Sequence, residues 1–425
     1  MISKFHALFQ ARWFARRGLI GNHGRMLTTE PISLTLPDPW PSRVRGGVPY
    51  IELAELQTPV EGVEPGDVLT LRASNFDPVG LGIFDPESGQ IWSLPAAPDE
   101  AFDEKFWHRR VHHALELRGR LGLTGEETAY RLINGEGDGL PGFLVDVYSR
   151  HVVIYSLSAA LDRHVPALAK VIAAELHPHS VISKIRPTGE HVTGKIPFRV
   201  EHGEEPPANV IVREGDVAYE VHLTGGLNTG LFVDMRNVRQ TLRPWFRGKN
   251  VLNTFCYTGS FSVVAALEEA KGVTSVDFSA GVLDWSKTNF ELNKLKSNDK
   301  RFKFVRDDVF EFLRVTRRHE KTFDVVILDP PAMTTVPGKR WFLKSDYGRL
   351  IAHALKVVAP GGLLVVATTC TASRPEKLET QIREAAKETG RRLRLAESIG
   401  LPSDYPTQMI HPQARHLKCF LLLAD

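Results

Sequence analysis

The sequence predicts an α/β protein whose C-terminal half is a doubly wound, mostly parallel sheet, and two fragments carry that expectation. In the first, Val251-Leu-Asn-Thr-Phe-Cys-Tyr-Thr-Gly259-Ser runs on to Ser275-Val-Asp277. It reads as an apolar strand, a tight loop, a helix and a second strand ending in an acid. In the second, Ile327-Leu-Asp329-Pro-Pro331 is followed downstream by Leu363-Leu-Val-Val-Ala-Thr-Thr-Cys370. A carboxylate then ends one strand and a thiol ends the next. From Lys249 strands and helices alternate to the end of the chain, which implies helices on both faces of the sheet. Ligands of such sheets sit at the carboxyl ends of the strands, where Asp277, Asp329 and Cys370 fall.

At 425 residues the chain exceeds one ordinary core, and two or three domains are expected. From Leu36 the sequence reads as short strands and turns: Gly66–Arg72, Gly80–Phe84, the loop Asp85–Gly89 and Gln90–Leu94. A small β-barrel over 36–97 is the natural expectation. Phe106, Val111, Ala114 and Leu115 form a helical stripe opening a central α/β segment over 101–205. Its strands are Thr128–Ile133, Gly142–Tyr148 and His151–Ser156, with a helix over Asp162–Leu176 and a linker at Glu201–Ala208. A hairpin around Arg213–Asp216 leads into the C-terminal domain, 209–425. There, Val282, Trp285, Asn289 and Leu292 predict a core-facing stripe, and Pro360-Gly-Gly362 breaks a helix before strand Leu363–Thr369. Ser373-Arg-Pro-Glu376 predicts a capping box opening a helix that Gly390 closes, and Lys418–Leu423 should be the last strand.

A 42% apolar and 24% charged composition describes a soluble globular protein, and no apolar run reaches the roughly 20 residues of a membrane helix. Three cysteines without metal-ligand spacing suggest free thiols in a reducing compartment and no metal site. The net charge of +3 is uneven. Residues 1–29 hold five of the 53 Lys and Arg residues and no acid, so the remainder, with 50 acids, is slightly negative. The body is therefore not a basic nucleic-acid binder by bulk charge, and any such contact must come from a local patch. The same 29 residues suit a targeting segment, implying a mitochondrial or plastid matrix in a eukaryote and the cytoplasm in a bacterium. A surface helix, or an upstream start with Met26 as the working one, fits equally. Monomer and homodimer both remain open.

The loop Asn253–Gly259 holds one glycine where a dinucleotide fingerprint would have three, so it fits a ligand cradle or a structural turn. Asp277 suits two ribose hydroxyls, or an N-cap before Ser279. Asp308 suits an adenine amine, or the cap of the helix through Phe312. Three consecutive strand ends carrying such groups in order favour the cradle. Pro330 and Pro331 impose an extended backbone without N–H donors, a rigid wall for a flat base. Ala332 follows, where enzymes that methylate exocyclic amines place a stacking aromatic. A thiolate at Cys370 could add to C6 of cytosine and make C5 nucleophilic; alone, Cys370 fits a small buried hydrophobe as well. Cys256 and Cys419 read as packing residues.

Together these residues resemble the large-subunit ribosomal RNA methyltransferase I family, over nearly everything after residue 36. The resemblance extends to Asp38-Pro-Trp40, Gly137-Asp-Gly-Leu-Pro-Gly-Phe-Leu-Val-Asp146 and Gly226-Leu-Asn-Thr-Gly-Leu-Phe-Val-Asp-Met-Arg236. It implies a PUA-like barrel, a central α/β domain and a Rossmann-like class I methyltransferase sheet. It further implies S-adenosylmethionine as cofactor, large-subunit rRNA as partner and 5-methylcytosine as product. Cys370 would be the nucleophile and Asp329 its catalytic partner, with Pro330 and Pro331 against the substrate. Phe255, Tyr257, Gly259, Asp277, Phe278, Asp308, Val309 and Thr229 would hold the cofactor. The family usually has Lys-Phe after the two prolines, Ser-Cys-Ser at Thr369-Cys-Thr371, and Lys-Thr at Asn228-Thr229. A related branch that methylates guanine N7 shares Tyr257-Thr-Gly259 but needs no cysteine and lacks the barrel. A non-catalytic module that keeps the cradle as structure is the alternative from another class.

Overall fold

The computed structural model describes residues 32–56, 60–97, 100–125, 128–186, 196–226, 228–336, 339–371 and 373–425. The targeting segment expected over 1–29 lies outside them. The first sheet comprises β1 (Ile32–Thr35), β2 (Tyr50–Glu52), β3 (Val68–Arg72), β4 (Pro78–Asp85) and β5 (Gln90–Leu94), in the order β1-β3-β4-β5-β2. Alternation along β3 turns Leu69 and Leu71 inward, where they join Trp40, Ile51, Val79 and Ile91. The edge strands β1 and β2 are not hydrogen-bonded to each other among the described residues. The segment expected as a barrel is thus a five-stranded sheet.

The second sheet runs β6 (Ala129–Asn134), β7 (Phe143–Tyr148), β8 (His151–Ser156), β9 (Ser180–Ile185) and β10 (Arg199–Gly203), in sequence order. Helix Glu104–Arg120 begins where Asp103 accepts the Phe106 N–H, and buries Phe106, Trp107, Val111 and Ala114 against this sheet. The helix expected over Asp162–Leu176 is divided into Ala159–Asp162 and Val165–Leu176. Pro166 occupies the first turn of the latter, where its missing N–H leaves no bond unmade. The linker expected at Glu201–Ala208 begins later, because Arg199–Gly203 pairs with β9. Its charges mark an exposed edge strand, which resembles a linker in sequence.

A hairpin, β11 (Val210–Glu214) with β12 (Val217–Val221), precedes the third sheet. The following strands are β13 (Asn250–Thr254), β14 (Gly272–Asp277), β15 (Phe302–Arg306), β16 (Phe323–Leu328), the short pair β17 (Met333–Val336) and β18 (Lys339–Phe342), β19 (Val358–Thr368), β20 (Leu393–Ile399) and β21 (Lys418–Ala424). Seven of them form one sheet in the order β15-β14-β13-β16-β19-β21-β20. The first five are parallel, and β21 is antiparallel to both neighbours. Both faces are covered, so the strands are apolar on both sides: Val251 and Val325 enter one core, Leu252 and Val326 the other. Strand order reverses between β13 and β16, which opens a crevice at their carboxyl ends.

Three local expectations change. Pro360-Gly-Gly362 lies within β19, not at a helix end; the preceding helix stops at Leu355, and the register shift between β16 and β19 takes up the irregularity. The buried stripe of helix Ala280–Leu292 is Leu283, Ser286, Asn289 and Phe290, with Val282, Trp285 and Leu292 half-buried. Asn289 is inside because it is bonded there: it accepts the Glu220 N–H at 2.8 Å and donates to the Thr258 carbonyl at 2.9 Å. No capping box forms at Ser373. The helix spans Pro375–Thr389, with Arg374 at its N-cap and proline in its first turn.

The segment 400–417, between β20 and β21, leaves the third sheet and straps it to the other two. Fully buried Asp404 accepts from the Arg131 backbone at 3.0 Å and from both ends of the Arg236 guanidinium at 2.8 and 3.2 Å; its carbonyl accepts from Arg118 at 2.7 Å. Asn134 donates to the Pro406 carbonyl and Gln408 to that of Glu136. Gly137 is required at this crossing, since a Cβ there would lie 1.8 Å from the Pro406 oxygen. His411 meets Tyr50 of the first sheet edge-on, with ring centroids 6.2 Å apart. Among the described residues, no helix is long and apolar enough to cross a membrane.

Candidate active site

Sheet order brings the predicted groups to one edge. Reading across the carboxyl ends of β15, β14, β13, β16 and β19, one meets Asp308, Asp277, the loop 255–259, Asp329 and Cys370. The loop is strained: Phe255, Tyr257 and Gly259 have φ of 52°, 49° and 77°. A bulky residue at positive φ costs roughly 1 kcal/mol or more, so the two aromatics must be held there. The Cys256 N–H donates to the Val276 carbonyl at 3.0 Å, and the Tyr257 N–H donates to Asp277 Oδ2 at 3.1 Å. Asp277 Oδ1 accepts the Ser279 N–H at 3.0 Å, so this carboxylate joins the loop to the next helix instead of capping it from the N-cap position. Burial raises the Asp277 pKa against the pull of these N–H donors. A Cβ on Gly259 would lie 2.0 Å from Ser286 Oγ, so only glycine lets the helix approach. Phe278, beside the acid, is exposed, while Val309 is buried in the core and can offer only its backbone.

Two candidates are engaged structurally. Asp308 is the N-cap of helix Val309–Arg318, accepting the Glu311 N–H at 3.1 Å. Thr229 is buried and donates to the Tyr148 hydroxyl at 2.9 Å, tying its loop to the second sheet. That loop closes over the cradle, because Thr258 donates to the Gly230 carbonyl and Tyr257 packs 5.3 Å from the Phe232 ring.

Asp329 follows β16 directly, with Pro330 buried and Pro331 exposed beyond it. Tyr347 bridges the strand ends, its hydroxyl lying 3.2 Å from the Leu328 carbonyl and 2.6 Å from that of Ala367. Burial, aided by the nearby Asp234 carboxylate, pushes the Asp329 pKa up to about 7. Asp234 keeps its charge. Burial opposes ionisation, but the hydrogen bond with His416 and the nearby Arg131 and Arg239 outweigh it. His416 Nε2 lies 3.1 Å from Asp234 Oδ2, while Asp234 Oδ1 is buried without a partner among the described residues.

Cys370 is half-buried two residues beyond β19, and its backbone is held on both sides. Its N–H donates to Thr368 Oγ1 at 3.1 Å; its carbonyl accepts the Ser373 N–H at 3.1 Å and Lys418 Nζ at 2.8 Å. Cys256 and Cys419 are buried, and desolvation raises both thiols, which fits packing roles. His416 and the strap gave no local signal in the sequence, and nothing there set apart Asp234 within its motif or Lys418 at its strand start as site residues. Lys418 reaches Cys370 only because Thr368 pairs with Lys418 across β19 and β21.

A cleft of about 550 Å³ opens between the sheets. Its walls include Thr369 and Thr371 on either side of Cys370, together with Tyr257, Asn228, Thr229 and Asp234. Tyr50, Tyr155 and Arg186 come from the first two sheets, and Tyr405 and His416 from the strap. Tyr155 and Tyr405 are buried, the latter under Arg131, while Tyr50 and Tyr257 are half-buried and Arg186 is exposed, and flat rings beside a guanidinium suit stacking of unpaired bases. An acid ending the second strand and a backbone loop after the first, at the switch point of a 3-2-1-4-5-7-6 sheet, define a class I methyltransferase fold. The family model of S-adenosylmethionine-dependent methyltransferases matches residues 200–422.

The Bacillus subtilis protein YwbD, which carries the name of a ribosomal RNA large subunit methyltransferase, is 31% identical over 92% of this chain and 98% of its own. Ribosomal RNA large subunit methyltransferase I of Vibrio parahaemolyticus is 33% identical over 79% of this chain and 85% of its own. A methyltransferase solved in complex with SAH shares the fold over 92% of this chain and 100% of its own, with a TM-score of 0.81 at 24% identity. The chain belongs to the ribosomal RNA large-subunit methyltransferase I family of S-adenosylmethionine-dependent methyltransferases. That cofactor carries a ribose, and Asp277, which ends β14 beside the loop, is a carboxylate of the kind that accepts ribose hydroxyls. Asp277→Ala should weaken S-adenosylmethionine binding by about 1–3 kcal/mol, the worth of charge-assisted hydrogen bonds to the ribose. Calorimetry checks this, and unchanged affinity would remove Asp277 from the site.

Proposed function

We propose that this protein methylates C5 of a cytosine in large-subunit ribosomal RNA through a covalent adduct with Cys370. The observation that carries this reading is the placement of Cys370 and Asp329 at the ends of adjacent parallel strands beside the cradle. Cys370 Sγ, as thiolate, adds to C6, and the ring's electrons move toward N3 and C5. S-adenosylmethionine supplies the methyl group to C5. Loss of the C5 proton to a base then restores the C5–C6 double bond and expels the thiolate. Asp329, protonated below about pH 7, would donate to N3 as charge develops there and accept from N4 through its other oxygen. Pro330 and Pro331 would wall the base. Extruding it costs a few kcal/mol, least in loops. The first sheet, read as a PUA-like domain over 36–97, and the central domain over 101–205 would hold the RNA outside the methyltransferase domain over 209–425.

Bisulfite sequencing of rRNA from a deletion strain tests the product: one cytosine should lose protection, and an unchanged pattern would remove the cytosine reading. Asp329 adds a pH dependence. Its raised pKa means that the proton is present below about 7 and lost above, so single-turnover methylation should decline as pH rises through 7. Asp329→Asn should be roughly 100-fold slower and lack that decline. The same descending limb in the variant would assign it to another group.

A further inference from the structure

A second cleft, of about 420 Å³, lies on the far side of Tyr405, which lines both clefts. Its walls carry Arg415, Lys418, Ser398, Thr407 and Pro375, and none of its described lining residues is acidic. Lys418 is 8% exposed, yet its ammonium contacts only two carbonyls, those of Cys370 and His416, each at 2.8 Å. No carboxylate lies within 4 Å of it among the described residues. Its one charged neighbour among them is Cys370 when ionised, and a buried cation without a carboxylate or other permanent counter-charge is costly. Burial lowers the Lys418 pKa, against the charge of Cys370, which raises it. The third ammonium hydrogen remains for a further acceptor. Arg415, exposed at the same cleft, has the Met409 sulfur at 2.9 Å as its side-chain partner and no ion pair among the described residues.

Two cations, two hydroxyls and no acid call for an anion. The cleft lies beside β20 and β21, on the opposite side of Cys370 from the cradle at β13 and β14, so this anion is separate from the methyl donor. Lys418 ties the cleft to the backbone of Cys370, whose two neighbours line the first cleft. We propose that this second cleft binds a backbone phosphate of the RNA strand next to the target nucleotide, with Arg415 and Lys418 as its ligands. The proposal rests on an RNA substrate but not on which atom is methylated. With the base in the first cleft, Tyr405 would separate it from the adjoining phosphate.

Arg415→Ala tests this, since an exposed arginine without an ion pair can be removed with little effect on folding. Binding of a fluorescent single-stranded RNA dodecamer is measured by anisotropy over a range of salt, in a Cys370→Ser background that prevents turnover. Losing one phosphate contact should lower the slope of log affinity against log salt by about 0.7 and weaken binding about fivefold near 0.1 M salt. S-adenosylmethionine affinity should not change, and Arg415→Lys should restore most of the slope. Equal affinity and slope in Arg415→Ala and its parent would overturn the proposal. So would protection of the parent, but not of Arg415→Ala, by inorganic phosphate in thermal unfolding while the RNA slope stays the same, because the cleft would then hold free phosphate. If Arg415→Ala loses the contact while the intact enzyme forms no 5-methylcytosine, the phosphate site stands and the cytosine reading falls.

Discussion

Cys370→Ser should abolish methyl transfer, with a loss of roughly 1000-fold or more, while leaving S-adenosylmethionine affinity and unfolding midpoint close to those of the parent. Serine has nearly the same size, and the contacts that fix residue 370 are made by its backbone, which the substitution does not alter. A hydroxyl, however, is a far poorer nucleophile at neutral pH and a poorer leaving group from C6. RNA carrying 5-fluorocytosine should trap the intact enzyme covalently, because fluorine at C5 cannot leave as a proton. The trapped complex should be absent with Cys370→Ser and present with Cys256→Ser and Cys419→Ser, whose thiols are buried for packing. Denaturing electrophoresis reads the trap, and mass spectrometry of digested RNA reads the product. Full turnover by Cys370→Ser would end the cytosine-C5 reading and put guanine N7 first.

Much of the placement of residues along the sheet's carboxyl edge was legible because each piece is local. A strand, a loop and the acid that ends the next strand lie within one short stretch of sequence, and the cradle Val251–Asp277 is built from them in order. Asp329 and Cys370 could be placed on neighbouring strands because alternating strands and helices fix a parallel sheet. Legibility fails where partners are distant. Nothing near Asp404 announces Arg118, Arg131 and Arg236, which arrive from positions 286, 273 and 168 residues earlier. Lys418 is visible as the start of a strand, but its bond to Cys370 depends on an antiparallel insertion that strand patterns alone do not order. Asp308 shows a third limit: the same carboxylate serves as a cap and lies at the cradle's edge, so sequence supports both uses. The edge strand β10 shows a fourth, since charged residues on a strand paired on one side only look like a linker.

Asp404 should be the most sensitive position for stability. It is fully buried, and its carboxylate satisfies the Arg131 N–H and both ends of the Arg236 guanidinium. Asp404→Ala would leave the Arg131 N–H without a partner and the partly buried Arg236 without a counter-charge, holding only the Ala129 carbonyl, at a cost of about 3–5 kcal/mol. Asp404→Asn keeps the shape and can still accept from the Arg131 N–H, so it should cost less. The damage should be uneven. Segment 400–417 supplies Tyr405, His411 and His416 to the first cleft, and Tyr405, Thr407 and Arg415 to the second. The cradle at β13 and β14 takes no residue from it. Asp404→Ala should therefore bind S-adenosylmethionine with parental affinity at low temperature, yet lose RNA binding and methylation and unfold at markedly lower urea. Calorimetry, RNA anisotropy and urea titration of one preparation separate these effects. Equal loss of cofactor and RNA binding would mean that the strap supports the whole carboxyl edge, and parental stability would show that Arg236 and Arg131 find other partners.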